Sequence, residues 1–141
     1  MKLLTFQARH FGWQRAERSL PDAPDLPGEA EPRRVADAVV CFLHAEAGDE
    51  GEAERKRAFR ATLKHLKWLA NKRDLGTIVL HSFAHLGGAN AAPEFTRTFL
   101  AELAARLEAT GYAVHQTPFG WFCAWDIAVG GESLAKVWKE I

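Results

Sequence analysis

Ser82-Phe83-Ala84-His85-Leu86 and Thr117-Pro118-Phe119-Gly120-Trp121 each close an apolar run with a turn marked by polar residues, glycine or proline. The first ends a run over residues 77–84 (Ile78, Val79, Leu80, Phe83). The second joins runs over 112–118 and 120–129. Short apolar runs that stop at such punctuation read as buried strands ending in tight turns. Two strand ends of this kind in one small domain make a candidate site.

Working outward, residues 52–72 carry Phe59, Leu63, Leu66 and Ala70 at helical spacing, and residues 93–111 run from Pro93 through Phe95, Phe99, Leu103 and Leu107 to Gly111, a helix with proline first and glycine last. Residues 36–45 contain Val39-Val40-Cys41-Phe42-Leu43, the pattern of a central strand covered on both faces. At the start, Leu4, Phe6 and Ala8 alternate with Thr5 and Gln7 over residues 2–9. Gly12 then reads as a turn into 13–18, giving an opening hairpin. Residues 19–35 hold Pro21, Pro24, Pro27 and Pro32 and form a Pro-rich surface loop. The expected order is β-β-β-α-β-α-β-β with hairpins at both ends. This is an α/β (α+β) domain with a mixed β-sheet and two main helices, spanning residues 1–141 as one unit.

Length and composition agree with that size. A chain of 141 residues, 48% hydrophobic and 26% charged, lies in the ordinary globular range. No apolar run approaches the roughly 20 residues that span a bilayer, and the first residues do not form a signal peptide, so the expectation is a cytoplasmic protein with no membrane partner. Basic and acidic residues balance at 18 each; RNA binding must therefore rest on a local patch. Cys41 and Cys123 lie in apolar runs without metal-binding or redox spacing. The acidic stretch Glu46, Asp49, Glu50, Glu52 and Glu54 reads as complementing a helix N-terminus.

Residue chemistry narrows the function classes. Dinucleotide, P-loop, serine-hydrolase and zincin patterns are absent from the sequence. His81 and His85 sit four apart at a strand end, where strand alternation would put both on one face, but His10, His44 and His115 have no spacing that completes a metal site. No metal and no cofactor is expected. His85 reads as a hydrogen-bonding site residue and His81 as structural. Gly87-Gly88 could bring backbone N–H groups near a ligand. Lys56, Arg60, Lys64 and Lys67 form a stripe on the long helix that suits a phosphate backbone, or is simply a solvated flank. Of the five tryptophans, Trp121 and Trp125 share a strand face and read as core or interface packing, with stacking on an adenine as the alternative.

The two turn motifs in this order, about 35 residues apart, together with Gly131-Glu132-Ser133-Leu134-Ala135, resemble the editing domain of archaeal threonyl-tRNA synthetase. The resemblance covers most of the chain and implies the fold shared with D-aminoacyl-tRNA deacylases. It implies a deacylase that removes serine from tRNA(Thr), acting in trans because the chain ends at Ile141. Its partners would be the aminoacylated 3′ end of tRNA and threonyl-tRNA synthetase. A homodimer is implied too, since the family is typically dimeric.

By the same similarity the 3′-terminal adenosine and aminoacyl group would contact Ser82, Phe83, Ala84, Pro118, Phe119, Gly120, Trp121 and Phe122, with His85 matching the family's site histidine. Where the family has two tyrosines and a lysine after Pro-Phe-Gly, this chain has Trp121, Phe122 and Cys123, and a family glutamate falls on Lys136. His85, Cys123 and Lys136 are thus the candidate catalytic positions, with Lys136 able to replace the lost charge if it reaches inward. The alternative is a non-catalytic module that grips a tRNA end or a synthetase.

Overall fold

Five consecutive apolar residues, Val39 to Leu43, need cover on both faces, and in the computed structural model their strand lies inside the sheet with a hydrophobic cluster on each side. The structure describes residues 1–25, 28 and 30–141; Leu26, Pro27 and Glu29, part of the expected Pro-rich loop, lie outside the described residues. The elements are β1 (Lys2–Arg18), β2 (Arg33–His44), α1 (Glu52–Asn71), β3 (Thr77–Ser82), α2 (Pro93–Glu108), β4 (Ala113–Gln116), β5 (Trp121–Val129) and β6 (Lys136–Glu140). Among the described residues the strands form one mixed sheet in the order β4-β3-β2-β1-β5, with β6 also paired to β1. The expected mixed sheet with two main helices is therefore what the chain forms.

β2 alternates between two cores. Val39, Cys41 and Leu43 face the helices and join Leu66, Leu69, Phe99 and Leu103. Ala38, Val40 and Phe42 face the other way and join Phe11, Trp13 and Val79. β2 and β3 are parallel, linked through α1, while β1 is antiparallel to β2.

Three expectations need correction. The opening antiparallel pair does not turn at Gly12: β1 runs straight through it and pairs with β2, and the missing Cβ of Gly12 leaves room for the Asp126 carboxylate. A register shift between Ala8 and His10 changes which residues face which side, so Leu4, Phe6 and Ala8 share a face with Phe11 and Trp13. Thr5 and Gln7 are buried rather than solvated, because α1 lies over them. The Thr5 hydroxyl donates to the Val137 carbonyl (3.0 Å) and so accepts from His65 Nε2 (3.1 Å), and Gln7 donates to the Leu69 carbonyl (2.8 Å).

Secondly, β4 and β5 do not form a hairpin but lie at opposite edges of the sheet. Crossing four strand spacings of a flat sheet means about 19 Å. The five residue steps from Gln116 to Trp121 reach about 18 Å only when fully extended, and Gly120 at φ 82° turns instead. The sheet must curl, and its inner face shows it: Trp13 of β1 reaches His115 of β4 (6.1 Å between centroids), and Trp125 of β5 packs edge-on against Phe42 of β2 (5.3 Å). Thirdly, β6 follows the closing Gly-rich segment, a strand absent from the expected order; it takes the edge of β1 over Lys2 to Phe6, where β5 does not reach.

The acidic stretch has more than one role. Glu46 and Asp49 hold the Met1 ammonium (3.0 and 2.8 Å), Glu50 accepts the Ala92 N–H at the start of α2 (2.8 Å), and Glu52 and Glu54 occupy the first turn of α1. Burial works against the Glu46 carboxylate, yet hydrogen bonds from Lys2 and the Met1 ammonium outweigh it and lower its pKa.

Candidate active site

Because β2 and β3 are parallel, their carboxyl ends fall at the same end of the sheet, with Leu43 opposite Ser82. Clefts outside such strand ends are where open α/β sheets place ligands. Phe83 donates its N–H to the Leu43 carbonyl (2.9 Å), which turns the chain out of β3. Thr117 is fastened to the same strand twice: its N–H donates to the Leu80 carbonyl (3.1 Å), and its Oγ1 lies 2.8 Å from His81 Nδ1. Burial pushes the His81 imidazole down to about 4, so at pH 7 this is a neutral hydrogen bond. It ties the two turn motifs together, and between them lies a cavity of about 420 Å³, within the range of small-ligand sites.

The expected contact residues meet at this cavity. Ser82, Phe83 and Ala84 line it from one side, and Pro118, Phe119, Gly120, Trp121 and Phe122 from the other; His85 and Cys123 line it too. His85 is exposed on the turn, its ring edge-on to Phe83 at 5.4 Å. β3 ends at Ser82, so His85 reaches the cavity from the turn and not by strand alternation with His81. His81 lines the cavity as well as bracing it. Cys123 Sγ donates to the Trp121 carbonyl at 3.9 Å. Lys136 does not reach inward: it lies on β6, exposed, with Nζ on the Gly130 carbonyl (3.2 Å), and is not part of the cavity lining.

One residue that spacing rules passed over is prominent. His44, buried at the end of β2, accepts the Leu86 N–H at Nδ1 (3.2 Å) and therefore donates from Nε2 to Asn90 Oδ1 (2.8 Å). Its ring holds the loop that carries His85 at two points, Leu86 next to that histidine and Asn90 further along. A histidine closing a central strand opposite the first motif was the available signal, but the partner Asn90 is close only after folding. Gly87 and Gly88, both at positive φ, are not in the cavity lining; the Gly87 carbonyl accepts Lys2 Nζ (3.1 Å), and a side chain at Gly88 would strike Glu46.

Of the tryptophans, Trp13 alone is buried (5% exposed), whereas Trp125 (46%) and Trp138 (50%) are open to solvent, so core packing accounts for one of them. Trp121 and Trp125 both line the cavity. Lys56, Arg60 and Lys64 are exposed and Lys67 half-buried on α1; none of the four lines the cavity, and Lys56 pairs with Glu52. Among the described residues no cluster of three His, Cys, Asp or Glu side chains could hold a metal ion.

Fold and site define a mixed-sheet α/β domain with a half-apolar cleft at its parallel strand ends. The chain belongs to the family described as the archaea-specific editing domain of threonyl-tRNA synthetase, which matches residues 1–141. Among curated relatives it is similar to a threonine--tRNA ligase editing subunit from Aeropyrum pernix (32% identity over 97% of this chain and 31% of the relative) and to threonine--tRNA ligases from Thermofilum pendens (28%, all of this chain and 22% of the relative) and Methanocaldococcus jannaschii (24%, all and 22%). The chain thus spans between about a fifth and a third of these relatives. A solved structure of a c-Myc DNA unwinding element binding protein shares the fold, with a TM-score of 0.68 at 14% identity, covering 100% of this chain and 99% of that one.

Proposed function

We propose that this protein hydrolyses the ester of misacylated tRNA, with seryl-tRNA(Thr) as the first substrate. The observation that carries the reading is the His81–Thr117 bond, which brings the Phe-Ala-His and Pro-Phe-Gly turns to one cleft in a member of an editing-domain family. The need is physical: a synthetic site for threonine gains only about 1–3 kcal/mol from the methyl that serine lacks, so the wrong product must be removed afterwards. In this reading the terminal adenosine lies against Phe83 and Ala84, and the aminoacyl group against Pro118 to Gly120. His85 hydrogen-bonds the substrate from the exposed turn. Backbone groups and the tRNA's own 2′-hydroxyl position the attacking water, so the rate comes from placement and oxyanion stabilisation and needs no strongly acidic or basic side chain. It would act in trans on charged tRNA, in keeping with the name of the Aeropyrum relative, an editing subunit.

Purified protein incubated with seryl-tRNA(Thr) and a panel of other mischarged and D-aminoacyl tRNAs should release one amino acid well above the buffer rate. Hydrolysis no faster than buffer across the panel would remove the enzymatic reading. A second reading is favoured by one observation: the family's lysine is Cys123 here, and Lys136 does not replace it in the cavity. A non-catalytic module gripping tRNA ends would bind adenosine-ended RNA without turnover.

A further inference from the structure

A neutral chain needs a local cationic patch to hold RNA, and the cavity has one at its rim. Register places Arg15 opposite Cys123 and Arg18 opposite Trp121, so the end of β1 delivers two guanidinium groups onto the Trp121 ring, at 4.3 and 4.5 Å from its centroid. From α2, Arg97 lies over Phe119 at 5.4 Å. Trp121 and Phe119 both line the cavity; the three arginines do not line it themselves but stack on these two of its rings.

Their present partners are informative. Arg15 pairs with Asp25 (2.6 Å), and Arg97 with Asp22 (3.6 Å) and with Glu94 of its own helix (3.1 Å). Arg18 donates to the Ala23 carbonyl, and Trp121 Nε1 donates to the Pro24 carbonyl (3.0 Å). The segment after β1 is anchored beneath by the Ser19 and Leu20 N–H groups on the Gly120 carbonyl (2.9 and 3.0 Å). Asp22 and Asp25 are themselves largely in solvent; the Arg97–Asp22 pair, open on both sides, contributes little and exchanges readily, whereas Arg15 is itself mostly buried.

We propose that Arg15, Arg18 and Arg97 form the phosphate-binding rim for the single-stranded 3′ end of tRNA, and that Asp25 on Arg15 and Asp22 on Arg97 hold two of these arginines until RNA displaces them. The inference rests on the deacylase reading for the identity of the ligand, and it moves RNA contact from the α1 stripe to the cavity mouth. Arginine is suited to this place: it binds phosphate oxygens in pairs while its flat face stays stacked on an aromatic ring. Trp121 then serves to hold two cations and not to stack on a base.

The test is binding of labelled deacylated tRNA, and of a short single-stranded RNA ending in adenosine, across a salt series, with hydrolysis of seryl-tRNA(Thr) followed in the same samples. Arg15→Gln/Arg18→Gln/Arg97→Gln should weaken binding at least about tenfold at low salt and lower the salt slope by about 2, three contacts at ~0.7 each. Asp22→Asn/Asp25→Asn should tighten binding by about three- to tenfold at low salt, an advantage that fades as salt screens it. This gain cannot arise from misfolding, so it decides the matter even if the triple variant is unstable. Binding within twofold of the unsubstituted protein in both variants, or loss of binding only on charge reversal of Lys56, Arg60, Lys64 and Lys67, overturns the rim; so does absence of any RNA binding at low salt. RNA binding with these responses but without hydrolysis would leave the rim standing and remove the deacylase reading, whereas hydrolysis with unchanged slopes would do the reverse.

Discussion

The two faces of the curled sheet are built from one strand and differ in kind. On the helix side, Val39, Cys41 and Leu43 meet Leu66, Leu69, Phe99 and Leu103, a mostly aliphatic layer packed under α1 and α2. On the inner side, Phe42 touches Phe6, Phe11, His81, Phe83 and Trp125, and the last three of these line the cavity. Aliphatic side chains fill space and hold the fold. Flat rings with polar edges instead give a cleft rigid apolar walls and a few hydrogen-bonding groups. Both cores reach the site, by different routes: Leu43, Ala45 and Ala91 of the helix side line the cavity directly, whereas Phe42 on the inner side stands behind three of its lining rings.

That contrast can be broken at Phe42 and Leu66, buried in the clusters on opposite faces of the sheet. Leu66→Ala and Phe42→Ala should each cost about 3–5 kcal/mol of stability in urea unfolding, but Leu66 does not line the cavity, so only Phe42→Ala should also loosen the cleft, raising KM for the preferred aminoacyl-tRNA more than Leu66→Ala does under conditions where both are folded. Equal effects on KM would mean the faces are not functionally distinct. Acidification probes the buried imidazoles on both sides. Burial lowers His81 to about 4, and burial, followed by the Lys139 charge, lowers His65 to about 4. The unfolded chain therefore binds more protons between about pH 6.5 and pH 4, and stability, intact above about 6.5, falls with pH across that window. For His81 the loss is on the order of 3 kcal/mol; a urea midpoint that holds constant from pH 7 to pH 4 contradicts it. His85→Ala, on the exposed turn, should lower the deacylation rate about a hundredfold, ~2.7 kcal/mol of barrier, while shifting the unfolding midpoint least of all. Cys123→Lys sharpens the comparison further, with a gain of seryl-tRNA(Thr) hydrolysis expected if the missing cation limits the rate.

Much of this arrangement was legible beforehand because it is local. Apolar runs marked β2 and β3, helical spacing marked α1, and Pro93 and Gly111 bracketed α2. The two turn motifs named the cavity's two sides. What local pattern could not convey was set by long-range partners. Gly12 reads as a turn until Asp126 is known to lie over it. Thr5 and Gln7 read as solvated until α1 covers them and supplies His65 and Leu69 as partners. Pro118-Phe119-Gly120 reads as a hairpin turn because a sequence does not show that the sheet curls enough for its two edges to be joined by so short a link. The rim arginines were invisible for the same reason, since Arg15 and Arg18 meet Trp121 only through the β1–β5 pairing.

The central claim is that the turns around His85 and Pro118 form one cleft for an aminoacylated ribose, and a crystal structure with a hydrolysis-resistant 3′-aminoacyl adenosine tests it most directly. The account predicts the adenosine against Phe83 and Ala84, the aminoacyl group beside Phe119 and Gly120, and the His81–Thr117 bond unbroken. An analogue bound elsewhere on the molecule, or a cleft that stays empty at saturating analogue, would contradict it.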